Sequence, residues 1–240
     1  MSYLGFAKHL CSGYLSKIHN PIILEIGIDR GQTTIPILHN LSLKSKSFKY
    51  IGVDIKPNDC FLEQLYNFEG LEWEWCPSEI DLHSDSGSFY FLNENSLSWL
   101  KNVQRYNNDK IFDLVLLDGD HNYHTVTKEL ELLEPLLKPT SLIVCDDYNG
   151  RYSTKDLFYS EKQGYSDIKD ATKKIVCEKT GVKPAVDDFI SNSRFNYKLE
   201  SIVGEPCLIY RDDIIGLETN FGRGPSWYDA NFNFYLKRKF

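Results

Sequence analysis

Two acidic clusters in this chain each close an apolar run. Residues 112–119, FDLVLLDG, lead into Asp118-Gly119-Asp120-His121, and residues 141–147, SLIVCDD, end in Asp146-Asp147. A stretch with helical spacing separates the runs, so they read as neighbouring parallel strands joined by a crossover helix. Such strands lie roughly 5 Å apart, which lets carboxylates at adjacent strand ends share one divalent cation. Asp118, Asp146 and Asp147 are hard oxygen donors without a cysteine beside them, a set suited to Mg2+ or Ca2+ rather than zinc. A cation there lowers the pKa of a bound hydroxyl and fixes its direction. A free histidine has its pKa near neutrality, which makes His121 the candidate for taking the hydroxyl's proton. The plainer alternatives are aspartates that cap a helix or sit in water, and a structural loop histidine. Asp120 is a substitute ligand, with a solvated or outer role favoured.

A second set of residues follows the first apolar run, PIILEIGI (21–28). Gly27 and Gly31 stand four apart in Glu25-Ile26-Gly27-Ile28-Asp29-Arg30-Gly31-Gln32-Thr33. Glycines between a strand and a helix permit a tight turn and close approach of a ligand to the backbone. The spacing is not G-x-G-x-x-G, which disfavours a nicotinamide dehydrogenase, and no Gly-Lys-Ser/Thr follows to make a phosphate loop. Asp54 ends the next run, KYIGVDI (49–55), where doubly wound folds place an acid for ribose hydroxyls.

The elements that would position these residues alternate regularly. Strands are expected at 21–28, 49–55, 89–95, 112–119 and 141–147. Helices are expected after Gly31 (QTTIPILHNL), over 59–68 with Asp59 as N-cap, and over 96–105 with Ser96 as N-cap. Val126, Leu130, Leu133 and Leu137 form one apolar face of a further helix. On that helix Glu129, Glu131 and Glu134 read as the solvated face, and His124 as a packing or surface residue. Five strand–helix alternations mean an α/β, doubly wound parallel sheet. Residues 3–17 suggest an amphipathic helix and 69–88 an elaborated connection containing the strand-like LEWEW. A helix at 182–191 and a hairpin over 196–204 and 206–213 close the fold. The whole chain, 1–240, reads as one domain, with 149–181 a lid insertion and 217–240 a tail.

Together LEIGIDRGQTT, GVDI, FDLVLLDGDHNYHTV and LIVCDDY resemble the class I S-adenosylmethionine-dependent methyltransferases. More narrowly, DGDHNY and DDY resemble the metal-dependent sugar O-methyltransferases of the macrocin and mycinamicin type. The resemblance covers about residues 20–148, and the closing hairpin fits the family's last antiparallel strands. It implies a Rossmann-like, mostly parallel seven-stranded sheet with a C-terminal antiparallel hairpin. It implies S-adenosyl-L-methionine as cofactor, with Glu25, Gly27, Gly31 and Thr33 at its methionine end. Asp54 would hold the ribose, Asn95 and Ser96 would sit by the adenine, and Asp118 would touch both cofactor and metal. By the same match His121 is the base, and the metal held by Asp118, Asp146 and Asp147 is Mg2+. The chain departs from the pattern at Thr140-Ser141, where relatives carry Gly-Gly; that alters a turn and not the site.

A net charge of −7 disfavours a nucleic-acid binder that relies on a broad basic surface. The exocyclic-amine motif Asn/Asp-Pro-Pro-Tyr/Phe is also absent, which counts against a nucleic-acid or cap methyltransferase. An inert binding protein that keeps the fold is the other alternative, opposed by the full set Asp54, Asp118, His121 and Asp146-Asp147. Six cysteines without a CxxC pair suggest reduced thiols. The first twenty residues hold no long apolar run, so no signal peptide is expected, and no stretch reaches the roughly 18 apolar residues of a membrane span. A cytoplasmic enzyme acting on a small-molecule hydroxyl, with homo-oligomerisation left open, is the expectation. Acceptor recognition is expected from Trp73, Trp75, Tyr148, Tyr152, Tyr159, Tyr165, Trp227 and Tyr228, whose aromatic faces suit sugars and flat rings; packing of the lid is the alternative.

Overall fold

The computed structural model describes residues 10–43, 47–68, 72–76, 79–84, 87–107, 109–201, 206–213, 215–220 and 233–238. The apolar runs become strands that alternate with helices. In chain order these are β1 (Ile22–Ile26), α1 (Thr34–Leu43), β2 (Lys49–Asp54), α2 (Asp59–Tyr66), β3 (Glu72–Cys76), β4 (Glu79–Ser84), β5 (Gly87–Asn93), α3 (Ser96–Tyr106), β6 (Phe112–Leu117), α4 (Tyr123–Leu133) and β7 (Leu137–Cys145). They are followed by α5 (Val182–Asn192), β8 (Tyr197–Ser201), β9 (Cys207–Arg211), β10 (Ile215–Asn220) and β11 (Asn233–Arg238).

The main sheet has the order β3-β4-β5-β2-β1-β6-β7-β9-β8. Strands β5, β2, β1, β6 and β7 pair in parallel, and β9 lies antiparallel between β7 and β8. These seven strands are the expected sheet with its closing hairpin. The antiparallel pair β3 and β4 extends it to nine on the outer side of β5. The connection expected at 69–88 is therefore in part a hairpin. LEWEW is strand, and so is much of the polar segment after it. Within the stretch expected as a tail, β10 and β11 pair as a separate two-stranded sheet.

Side-chain alternation along the parallel strands feeds two cores. Ile23, Tyr50, Leu114 and Leu142 point to one face, where Ile37, Leu38 and Leu41 of α1 and Phe61 and Leu65 of α2 cover them. Leu24, Val53, Val115 and Ile143 point to the other, under Leu100 of α3, Val126, Leu130 and Leu133 of α4, and Val182, Val186 and Phe189 of α5. All six residues of β6 are buried, as a strand covered on both faces requires. Each fully buried Leu, Ile or Phe contributes roughly 1.5–3 kcal/mol, so the central strands form a stiff base for the loops at their ends.

Three helix starts use asparagine. Asn58, Asn95 and Asn122 cap α2, α3 and α4 by accepting from the backbone N–H groups of Cys60, Ser98 and Thr125. The expected caps Asp59 and Ser96 are instead the first helical residues. Of the expected N-terminal helix, residues 3–9 lie outside the described residues. Leu10–Tyr14 forms a π turn and Leu15–Lys17 a 3-10 turn. Tyr14 fastens this segment to the sheet by donating to the carbonyls of Asp113 and Thr140, each at 2.7 Å. Leu137 opens β7 rather than continuing α4, because a 3-10 turn with Pro135 ends that helix. Among the described residues no helix is long and apolar enough to cross a membrane.

Candidate active site

Strand register builds the site. Ile26 pairs with Leu117, and Leu117 with Cys145. The next residue on each strand continues the row: Asp118 N–H donates to Ile26 O at 2.8 Å, and Asp146 N–H to Leu117 O at 2.9 Å. Gly27, Asp118 and Asp146 thus end three adjacent strands side by side. Gly27 has φ +83°, and a Cβ there would lie 2.1 Å from Asp118 O. The glycine lets β1 and β6 stay in contact as they part, a close approach of backbone to backbone.

The carboxyl oxygens of Asp118 and Asp146 and a ring nitrogen of His121 lie within 4.8 Å of one another. Burial and the negative charge of Asp146 push Asp118 well above the usual carboxylate range. Two acids crowded in this way are relieved by a shared cation or proton. His121 is buried, which holds its pKa down to about 4 and its ring neutral. Its Nε2 lies 3.7 Å from Asp118 and its Nδ1 3.3 Å from Asp147. Asp147 therefore stands on the far side of the imidazole, not among the three grouped donors where the sequence reading had put it. A left-handed backbone, φ +56°, turns it there, and its carboxylate also accepts from the backbone of Arg151 and Tyr152. The ring of Tyr152 stacks on His121 with centroids 5.5 Å apart.

A cleft opens beside this group. Gly27, Asp54, Asn95, Ser96 and Asp118 line it, as the expected cofactor residues would. Asp54 Oδ2 accepts from Ile28 N and Asp29 N, and its Oδ1 from Lys56 N, while burial raises its pKa. The other three expected residues are elsewhere. Glu25 is 1% exposed and turned into the core, where Thr34 Oγ1 and Tyr50 OH donate to it and burial pushes it up to about 7. A Cβ at Gly31 would strike Phe61, and Thr33 is not among the lining residues.

Sequence reasoning missed part of the lining. Tyr159, Tyr165 and Thr172 of the 149–181 segment lie across the cleft, along with Asp29, Ile55 and Thr125. The two tyrosines meet edge to face at 5.0 Å. Expected to serve the acceptor, they line the same cleft as Asp54. The segment is fastened at three strand ends. Lys56 Nζ donates to Gly164 O at 3.1 Å, Asn95 Nδ2 to Thr172 Oγ1 at 3.0 Å, and Tyr159 N–H to Asp120 Oδ1 at 2.8 Å. Asp120 is therefore neither a grouped donor nor a solvated acid. Glu129 is not on a solvated face either: it is 1% exposed, accepts from Ser96 Oγ, and burial pushes it up to about 8. Trp73, Trp75, Trp227 and Tyr228 have side chains outside the described residues.

A family model described as a methyltransferase domain matches residues 24–148. No curated protein matches the sequence. Among solved structures, the apo form of CalS11, described as a TDP-rhamnose 3'-O-methyltransferase of calicheamicin biosynthesis, aligns with a TM-score of 0.51 and 11% identity over 88% of this chain and 79% of its own. SAH-bound PaMTH1 from Podospora anserina aligns at 0.45 and 14% identity, over 88% of this chain and 77% of its own. MycE of mycinamycin biosynthesis, in complex with Mg, SAH and mycinamycin VI, aligns at 0.45 and 15%, over 86% and 48%.

Proposed function

The chain belongs to the methyltransferase-domain family, and from that premise we propose that it moves the methyl group of S-adenosylmethionine to a hydroxyl of a small molecule, a sugar or glycosylated metabolite, with help from a divalent cation. The observation that carries this reading is the grouping of Asp118, Asp146 and His121 at the edge of a cleft that also holds Asp54 and the Gly27 turn. The hydroxyl-methylating activity described for CalS11 belongs to that protein; carried to this chain, it is part of the proposal.

The donor set fits a hard cation: two carboxylates and one imidazole, with the crowding of Asp118 by Asp146 as the local reason to hold positive charge. Asp118 and Asp146 would hold it, and it would supply the charge that makes a hydroxyl acidic. The remaining steps use the chain's own groups. Asp54 would fix the ribose of the cofactor. When bound, the cofactor would supply an activated methyl group on a sulfonium, which departs as a neutral thioether once the acceptor oxygen has taken the methyl. Nε2 of His121 takes the hydroxyl proton, and the imidazolium formed is steadied by Asp147 at Nδ1. The 149–181 segment, fastened over the cleft, would exclude water as the lid of a single domain.

A second reading makes His121 a ligand rather than a base, because its nitrogen is one of the three grouped donors. Methyl transfer from S-adenosylmethionine is tested over a panel of sugars and phenols, with and without EDTA. The expected outcome is transfer to a sugar hydroxyl, lost in EDTA and restored by Mg2+, and absent in Asp146→Asn, which keeps the wild-type circular dichroism. Undiminished turnover in EDTA would remove the cation from the reading.

A further inference from the structure

The covering segment runs beside the loop that carries His121. Leu157 forms an antiparallel bridge with His121, its N–H donating to His121 O at 2.9 Å, and Tyr159 N–H donates to Asp120 Oδ1 at 2.8 Å. This pairing brings two aromatic rings against the imidazole. Tyr152 stacks on it with centroids 5.5 Å apart, and Tyr159 stands tilted at 6.4 Å. A cation lies over each ring. The Arg151 guanidinium carbon is 5.3 Å from the centre of Tyr152, and Lys162 Nζ is 4.2 Å from that of Tyr159.

The plain role for these cations is to pair with the acids around His121. Among the described residues neither makes an ion pair or donates a side-chain hydrogen bond. The nearer acids are served by other groups: Asp147 accepts from the backbone of Arg151 and Tyr152, and Asp120 from Tyr159 N–H. Both charges are still felt at the base. Lys162 adds to burial in holding the His121 pKa down, and Arg151 works against burial at Asp147. The pair stands out in a chain of net charge −7. Neither cation lines the cleft that holds Asp54, so the cofactor proposed for that cleft leaves their donors unused.

An acceptor hydroxyl must come within about 3 Å of His121 to give up its proton. The rest of a small molecule then extends over the neighbouring surface, and one ring away from the imidazole that surface carries Arg151 and Lys162. A guanidinium fork takes two oxygens of one phosphate or carboxylate, and an ammonium adds a point charge. We propose that the acceptor is an anion, whose phosphate or carboxylate binds Arg151 and Lys162 while its hydroxyl meets His121. The proposal rests on the methyl-transfer reading above and narrows its acceptor. Arg151 and Lys162 set specificity, and the proton transfer stays with His121.

The test is calorimetric binding of glucose, glucuronate and glucose 6-phosphate to the full chain, with S-adenosylhomocysteine and Mg2+ present. The three differ only at carbon 6, which isolates the charge and tells the two anions apart. The pair 4-hydroxybenzyl alcohol and 4-hydroxybenzoate extends the test to phenols. In at least one series wild type is expected to bind an anion about a hundredfold tighter than its neutral partner, through two charge-assisted contacts. Arg151→Met and Lys162→Met keep an apolar stem over each ring, and each should cut that preference by about tenfold. Arg151→Lys keeps the charge without the fork and should retain part of it. The double Met variant should show none. A preference that survives in the double variant puts the anion on Mg2+ and overturns the proposal. So does wild-type binding that ignores charge or favours the neutral partner in both series, and so does the failure of every anion to bind. Binding of S-adenosylhomocysteine, titrated first, tests the methyl-transfer reading separately: its absence removes that reading, and its presence without an anion preference removes only this one.

Discussion

His121 sits between two kinds of acid. Asp147 faces Nδ1, and Asp118 and Asp146 gather near the other nitrogen. His121→Ala separates base from ligand. As a base, its loss should lower kcat by about 10²–10⁴ while Mn2+ and S-adenosylhomocysteine bind nearly as before. As a ligand, its loss should weaken Mn2+ binding, measured by paramagnetic resonance, in step with turnover. Glu129 offers a test by pH. Its pKa rises from 4.5 unfolded to about 8 folded, with desolvation the main cause and Asp120 a further one. Between these values the folded state binds more protons than the unfolded, so this group's contribution falls as pH rises from 4.5 to 8 and is level above. Glu129→Gln should remove that slope and gain a few kcal/mol over wild type, on the order expected for a buried charge, above pH 8. Parallel stability–pH curves from urea melts would sink this. The residue itself was partly legible. Glu129 falls three after Val126 and four before Leu133, on the apolar face of the helix, so periodicity placed it inward while its residue type argued outward. Asp118, Asp146 and Asp54 were legible because strand ends can be read from apolar runs. Asp147 was not, because its left-handed backbone reverses the direction its position suggests.

At the scale of elements, the turn after β1 and the covering segment carry the most consequence. The sequence marked Gly27 for the approach of a ligand, yet the nearest backbone is that of Asp118. No pattern within β1 could report this, because it depends on the register of β1 against β6. Gly27→Ala should cost about 3 kcal/mol or more, through a positive φ and a contact that neither backbone can relieve. A loss under about 1 kcal/mol in urea denaturation would mean that the two strand ends part easily. The lid was read from a break in strand–helix rhythm, but its clasps join residues far apart in sequence and had no local signal. Asp156 is one of them: its Oδ1 accepts from Tyr123 N at 2.9 Å and from Gly181 N at 2.8 Å, tying the segment to the starts of α4 and α5. Asp156→Ala should expose residues 149–181 to limited proteolysis and raise KM for S-adenosylmethionine by about tenfold, the worth of one or two lost hydrogen bonds. Wild-type resistance to proteolysis would show that the remaining clasps suffice.

At the scale of the molecule, the candidate site draws on the ends of β1, β2, β5, β6 and β7, five neighbouring strands of one continuous sheet. A ligand held there braces the sheet as a unit, because the same strands carry both cores. Stabilisation by binding depends only on concentration over Kd and reaches about 2.7 kcal/mol at a hundredfold excess. For a chain of 240 residues each kcal/mol moves Tm by roughly 2–4 °C, so S-adenosylhomocysteine at that excess should raise Tm by about 5–10 °C. Calorimetry should show one transition that shifts as a whole, if residues 1–240 fold as one domain. A second transition that stays in place when the ligand is added would divide the chain. The piece left behind would then be found by repeating the melt after limited proteolysis. The pair β10 and β11 is the part to examine first, because it forms its own sheet and adds no strand to the larger one.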